Sequence, residues 1–137
     1  MLRISYLFVP FVSSMLLIGC SGGQSDGKVQ QAGAFFLSVN TIPNPPEVGS
    51  SAEVVVTIKA DDQPSSHCKV EFRQFMPEME MSSDKAVYTM VQEGASGVYK
   101  ARGGEFSMGG EWVLEFSLAC DGKAQTVKFP YSLKWPE

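Results

Sequence analysis

The feature that most restricts this chain is an alternation of apolar and polar side chains with a period of two. Ala52, Val54, Val56, Ile58 and Ala60 alternate with Glu53, Thr57 and Lys59, Val55 being the exception. Val127, Phe129, Tyr131 and Leu133 repeat the pattern near the C-terminus. Successive side chains of a strand point to opposite faces, so each run presents one apolar face that has to be covered. No stretch after residue 34 holds a helical period. The expected strands are 34–39, 52–60, 67–74, 86–91, 97–102, 111–120 and 125–133. Turn residues separate them: Pro43-Asn44-Pro45-Pro46 with Gly49, then Asp61-Asp62-Gln63-Pro64, then Glu93 to Gly97. Asp121-Gly122 is a tight-hairpin signal. Pro130 falls opposite the apolar side of the last run, and a proline there argues for a sheet edge. Seven short strands at this spacing predict an all-β fold, a seven-stranded immunoglobulin-like β-sandwich over residues 34–137. It departs from a true immunoglobulin domain, because Trp112 shares a strand with Cys120 and Leu118 stands where a tyrosine corner would be.

Cysteines occur at positions 20, 68 and 120. Cys68 shares a strand face with Val70 and Phe72, and Cys120 shares one with Trp112, Leu114, Phe116 and Leu118. Both thiols are therefore expected to point into the same core. A Cys68–Cys120 disulfide suits an oxidising compartment, and closing a loop of about 50 residues is worth at most about 4 kcal/mol in the chain-entropy model. Two free thiolates acting as soft metal ligands form the rival reading.

The first twenty residues set the compartment. Arg3 gives a positive start, and Ile4 to Ile18 is a mostly apolar run interrupted by Pro10 and serines. A membrane-spanning helix needs about 20 apolar residues, which this run does not supply. It ends in Leu17-Ile18-Gly19-Cys20, which resembles the lipobox of bacterial lipoproteins. The resemblance implies diacylglycerol on the Cys20 thiol, cleavage ahead of Cys20, and a further acyl chain such as palmitate on the new amino group. An ordinary signal peptide with a coincidental cysteine is the alternative. More than one acyl chain makes anchoring stable. Ser21 in place of Asp then favours the outer membrane, facing the periplasm, in a Gram-negative cell. The expected organisation is a signal peptide over 1–19, a lipidated Cys20 with a flexible Gly, Ser and Gln-rich tether to residue 33, and one domain over 34–137.

Cleavage would remove only Arg3 among charged side chains, taking the formal net charge from −4 to −5 over about 118 remaining residues. An acidic domain without a basic cluster is poorly suited to nucleic acid or to an anionic membrane face. With a single histidine and no G-x-S-x-G or H-E-x-x-H pattern, no nucleophile and base can be paired, so a non-enzyme is expected. Gly103-Gly104 and Gly109-Gly110 read as bulges or turns rather than a phosphate cradle, which needs a following helix.

One chemically unusual stretch remains, Phe75-Met76-Pro77-Glu78-Met79-Glu80-Met81. Thioether sulfur is a soft, uncharged ligand that selects Cu(I) over zinc or hard cations. On an extended strand Met79 and Met81 would share a face, and Pro77 would hold Met76 extended beside them. Met90, Met108 and His67 are further candidates, although His67 is out of phase with Cys68 and is expected on the surface. Glu78 and Glu80 would flank the site with negative charge. Methionine also fills irregular gaps in cores, so packing at one end of the sandwich is the competing reading.

Three segments extend the argument: Met76-Pro77-Glu78-Met79, Gly97-Val98-Tyr99-Lys100-Ala101 and Met108-Gly109-Gly110-Glu111-Trp112. With Pro45-Pro46 and Gly49 ahead of a strand, they resemble the YtkA-like domains, relatives of the FixH-like proteins of bacterial envelopes, over about residues 35–133. The resemblance implies an extracytoplasmic β-sandwich of the kind linked to copper handling or oxidase assembly, and no enzyme activity. Two functional expectations follow. One is a lipoprotein binding Cu(I) through Met76, Met79 and Met81, with His67 as a further candidate. The other is a lipid-tethered module that presents the methionine segment to an envelope protein and holds no metal.

Overall fold

The computed structural model describes residues 27–79 and 86–137. The leader, Cys20 and Met81 lie outside the described residues, so the expectations placed on them are not addressed by the fold. The strands are β1 (Lys28–Ala32), β2 (Phe35–Ile42), β3 (Ser51–Ala60), β4 (Gln63–Pro64), β5 (Lys69–Phe75), β6 (Tyr88–Thr89), β7 (Val91–Glu93), β8 (Val98–Glu105), β9 (Gly110–Cys120) and β10 (Lys123–Leu133). All pairings are antiparallel. One sheet has the order β1-β2-β3-β8-β7 with β4 added to β3, and the other has the order β10-β9-β5-β6. The runs β2-β3-β8-β7 and β10-β9-β5 reproduce the ABED and GFC sheets of an immunoglobulin constant-type sandwich.

The alternation read from the sequence is what joins the sheets. Leu37, Val39, Val54, Val56 and Ile58 from one sheet meet Phe72, Leu114, Phe116 and Phe129 from the other, all essentially fully buried. Phe116 packs obliquely on Phe72 and edge-on against Phe129, each with ring centroids 5.6 Å apart. β8 approaches β5 closely enough to require glycine. A Cβ on Gly103 would collide with Gln74 Oε1, and one on Gly104 with the Tyr88 hydroxyl. The Asp121-Gly122 turn takes positive φ at both residues, 48° and 75°, and joins the directly paired Cys120 and Lys123. That is the primed geometry a two-residue hairpin needs. Pro130 lies on β10, at the edge of its sheet as expected.

Two expectations about strands are corrected. Residues 28–33 do not all belong to a tether, because Lys28–Ala32 pair with β2 from Lys28↔Val39 to Ala32↔Phe35. Only Val29 and Ala32 among them are apolar, and they give no period of two, but Lys28 Nζ and Gln30 Nε2 reach across to the carbonyl oxygens of Pro130 and Lys128 on the other sheet. Lys28 also sits over the Tyr131 ring, 4.1 Å from its centroid. The expected strand 86–91 is in fact two. Tyr88–Thr89 pair with β5, whereas Val91–Glu93 pair with β8, so the chain crosses between sheets at Met90. The Met90 N–H donates to Val70 O at 2.9 Å, and its side chain is buried at the crossing.

Cys68 and Cys120 form a disulfide across 52 residues of sequence. It lies one step beyond the Lys69↔Ala119 pair, so it joins adjacent strands of one sheet instead of bridging the two sheets. The segment leading into Cys68 is pinned by Tyr99, whose hydroxyl donates to Ser65 O and accepts from the Cys68 N–H, each at 3.0 Å. A tyrosine on β8 thus holds a loop by its hydroxyl where none was expected. On the outward face of the same sheet, Arg73, Glu115 and Lys128 stand directly opposite one another on β5, β9 and β10. Arg73 donates to Glu115 Oε1, and Lys128 Nζ lies 3.6 Å from Oε2. The Arg73 bond, helped by the charges of Arg73 and Lys128, holds the Glu115 carboxyl below its ordinary range against the opposing effect of burial.

Replacing both disulfide cysteines by alanine is expected to lower unfolding stability by up to about 4 kcal/mol, read from urea unfolding with midpoint and slope fitted together. The slope should rise as the uncrosslinked denatured chain expands. The Glu115 contribution has the sign of a depressed carboxylate. It is complete above the unfolded-state value, about 4.3, and is lost as pH falls through the lower folded-state value. Glu115→Gln should therefore lower stability at pH 7 and flatten the stability curve below about pH 4.3. An unchanged acid limb would show that the triplet contributes nothing.

Candidate functional site

Three loops and the C-terminal tail meet at one end of the sandwich. They are the β2–β3 loop, the segment after β5, the β8–β9 loop and residues 134–137. Backbone bonds knit the first and third, with Gly49 N–H donating to Phe106 O at 2.8 Å and Phe106 N–H to Ser50 O at 3.1 Å. Phe106 is fully buried and meets Trp112 edge-on at 5.1 Å. The Trp112 indole N–H donates to Met108 O at 2.9 Å, which fixes the loop carrying that methionine.

Met76 arrives here because β5 ends opposite the start of β9, the last pair being Phe75↔Val113. Its side chain is half-buried against the core, with Cε filling the space above Gly110. A Cβ on Gly110 would stand 2.8 Å from that carbon, and the residue's φ of 128° itself favours glycine. Beyond Met76 the chain turns. The Met79 N–H donates to Met76 O at 3.2 Å, closing a four-residue turn with Pro77 in its second position. Proline presets the φ such a turn requires, so the expected extended run through Met79 is replaced by a bend at Pro77-Glu78. Met79 stands 40% exposed at its tip. Met108 is half-buried at the same end.

The other candidates lie elsewhere. Met90 plugs the crossing between sheets, beside Val70. His67 is exposed with φ of 62°, and its backbone N–H donates to Gln92 Oε1 at 3.2 Å. Eight residues of β5 and its extension separate it and Cys68 from Met76, about 26 Å along a strand. His67 is thus at the wrong end to join Met76 and Met79. The disulfide removes Cys68 and Cys120 as thiolate ligands.

Met76, Met79 and Met108 therefore all lie at this end, with Glu78 exposed in the turn between the first two. The donor set suits a soft monovalent cation and offers little to a hard one. Among the described residues no three of His, Cys, Asp and Glu come together in a metal-binding group. Sequence reasoning missed the part played by Trp135, whose indole lies against Gly109. A Cβ there would fall 2.7 Å from Trp135 Cδ1. The Gly109-Gly110 pair was the available signal. It marks two consecutive positions where another side chain needs the room a Cβ would occupy.

The YtkA-like family model matches residues 30–117, which bears out the resemblance drawn from the Met76, Gly97 and Met108 segments and leaves β10 beyond the matched region. No curated protein matches the chain. Among solved structures, the chain is similar to a DUF4426 family protein from Pseudomonas aeruginosa PAO1. The two are 17% identical with a TM-score of 0.53, over 80% of this chain and 99% of that one. At that identity the likeness is one of fold.

Gly110→Ala should cost about 1–3 kcal/mol, because the new methyl meets Met76 Cε on a strained backbone. Met76→Leu, close in volume, should cost under about 1.5 kcal/mol. Urea denaturation of both variants checks this, and an innocuous Gly110→Ala would mean that the Met76 side chain gives way and the backbone relaxes without cost.

Proposed function

The chain belongs to the YtkA-like family, and from that premise we propose that it is a non-enzymatic lipoprotein of the bacterial cell envelope that binds Cu(I) through thioethers at one end of its sandwich. Acyl chains on Cys20 anchor it, on the outer membrane facing the periplasm if the cell is Gram-negative. The observation that carries the metal reading is the placement of Met76, Met79 and Met108 at a single end, the first two by the turn after β5 and the third by the β8–β9 loop. Met81 follows Met79 by two residues in the sequence and is included in the test for that reason. Cu(I) accepts two or three such neutral donors, and a nearby carboxylate such as Glu78 favours a cation without competing as a soft ligand. The protein's part is to present the thioethers at one end, with the Glu78 carboxylate supplying negative charge rather than a soft ligand.

A second reading rests on a separate observation. Met79 and Trp135 are both exposed at this end, 40% and 63% respectively, and adaptable thioether and aromatic surface suits contact with a protein partner. On that reading the same end docks an envelope protein and holds no metal.

A Cu(I) competition titration against a chromophoric chelator separates the two, using the chain from residue 20 onward with Cys20→Ser. Stoichiometric binding is expected, lost when Met76, Met79 and Met81 are all replaced by leucine, with the circular dichroism spectrum unchanged. Failure of the unsubstituted protein to compete would end the copper reading. Crosslinking in the envelope, with and without charge reversal at Glu78 and Glu80, would then test the docking reading.

A further inference from the structure

Exposed apolar side chains are not scattered evenly over this molecule. Of the seven large ones among the described residues, Val29, Phe36, Ile42 and Val91 are on one surface, the outward face of the β1-β2-β3-β8-β7 sheet. The pairings fix this. Val29 stands opposite Ser38, Phe36 opposite Lys59, and Val91 opposite Lys100, each pair alternating with the buried positions of its strands. Val29 and Phe36 border a shallow depression of about 300 Å³ with Lys59 at its rim. They are 64% and 45% exposed.

The charge on this face is balanced although the chain is acidic. The whole sequence carries −4, whereas the outward positions of these strands bear Lys59, Lys100 and Arg102 against Glu53, Glu93 and Glu105. Glu93 is already paired with Lys100 at 2.8 Å. The outward positions of β1 and β2 are free of carboxylates, being Val29, Gln31, Phe36, Ser38, Asn40 and Ile42. The methionine end, by contrast, exposes Glu47 and Glu78.

Chain length adds a further constraint. Cys20 precedes Lys28 by eight residues, a covalent reach of at most about 28 Å. From Lys28 onward β1 is fixed to the body, by its ladder with β2 and by the bonds of Lys28 and Gln30 to β10. A membrane holding the Cys20 acyl chains is therefore never far from the outer edge of this sheet. We infer that the outward face of the β1-β2-β3-β8-β7 sheet lies against the bilayer, with Val29 and Phe36 in the interfacial region and Lys59 beside lipid phosphates. The inference rests on the lipid anchor proposed above. Lateral burial of a few apolar side chains is weak by itself, but the tether makes the contact intramolecular and raises its effective concentration.

The test uses the full lipidated chain, purified from membranes and reconstituted in phosphatidylcholine vesicles with and without bromine on the acyl chains. Phe36→Trp places a fluorophore on the proposed contact, and Thr126→Trp places one on the outward face of the opposite sheet, each read against the unsubstituted chain. The Phe36→Trp chain is expected to show blue-shifted added emission, most of it lost in brominated lipid. Thr126→Trp should show no such loss. Vesicle-bound protein with equal emission in both lipids for Phe36→Trp, or with loss confined to Thr126→Trp, overturns the proposal and leaves the anchor standing. A blue shift that grows with protein density and ignores bromine would assign the face to a second copy of the chain, which also overturns it. Protein that stays out of the vesicle fraction removes the anchor, and the proposal with it.

Discussion

Two amphipathic sheets can hide their apolar faces from water only by pressing them together, and nearly every other feature of this protein answers to that contact. It is the dominant favourable contribution to folding a domain of this size. β9 sits between β10 and β5, so its inward side chains Trp112, Leu114, Phe116 and Leu118 run the length of the core. Where β8 faces β5 and β6, it carries Gly103 and Gly104, because side chains from those strands already fill the gap. Where the chain has to pass from one sheet to the other, Met90 closes the seam it would otherwise open. A flexible unbranched side chain is well suited to that irregular space.

The same contact explains why the candidate site is formed at an end. The faces are committed to packing or to the flat outward surfaces, and loops at the ends are where sequence is free to vary. At the methionine end a buried Phe106–Trp112 pair acts as a floor. Met76 is half-buried beside Gly110, and Met79 is lifted clear by the turn at Pro77. One methionine is therefore held in place by packing while its neighbour remains accessible, a combination that a loop without such a floor would not supply.

Much of the sandwich was legible because burial enforces period two. Val54, Val56 and Ile58, Val127 and Phe129, and the phase of Cys68 and Cys120 all pointed correctly to the core. Turn chemistry was as informative at Asp121-Gly122. β1 was hidden because its stability comes from Lys28 and Gln30 reaching over the other sheet, an interaction that leaves no apolar pattern. The division of the 86–91 segment between sheets was hidden because Tyr88 and Val91 both look like ordinary strand residues, and only tertiary pairing separates them. At the candidate site, the sequence picked out the methionines but could not rank them. Met90 and Met108 have the same side chain, and only their positions in the fold distinguish a seam filler from a member of the methionine end. The role of Tyr99 depended on a hydroxyl meeting a loop 31 and 34 residues away, at Cys68 and Ser65.

The reach of Lys28 and Gln30 across to β10 has a consequence for how copies of this protein behave beside one another. A free sheet edge is a row of unsatisfied donors and acceptors, and it invites a strand from a neighbouring molecule. On β10, Pro130 has no N–H to offer, while the carbonyl oxygens of Pro130 and Lys128 are already engaged by side chains from β1. The margin where a second chain would begin to add itself is therefore occupied from within. On the proposed acyl anchor, which would concentrate the molecule in two dimensions, that seam would be a defence against edge-to-edge polymerisation, made from two polar side chains.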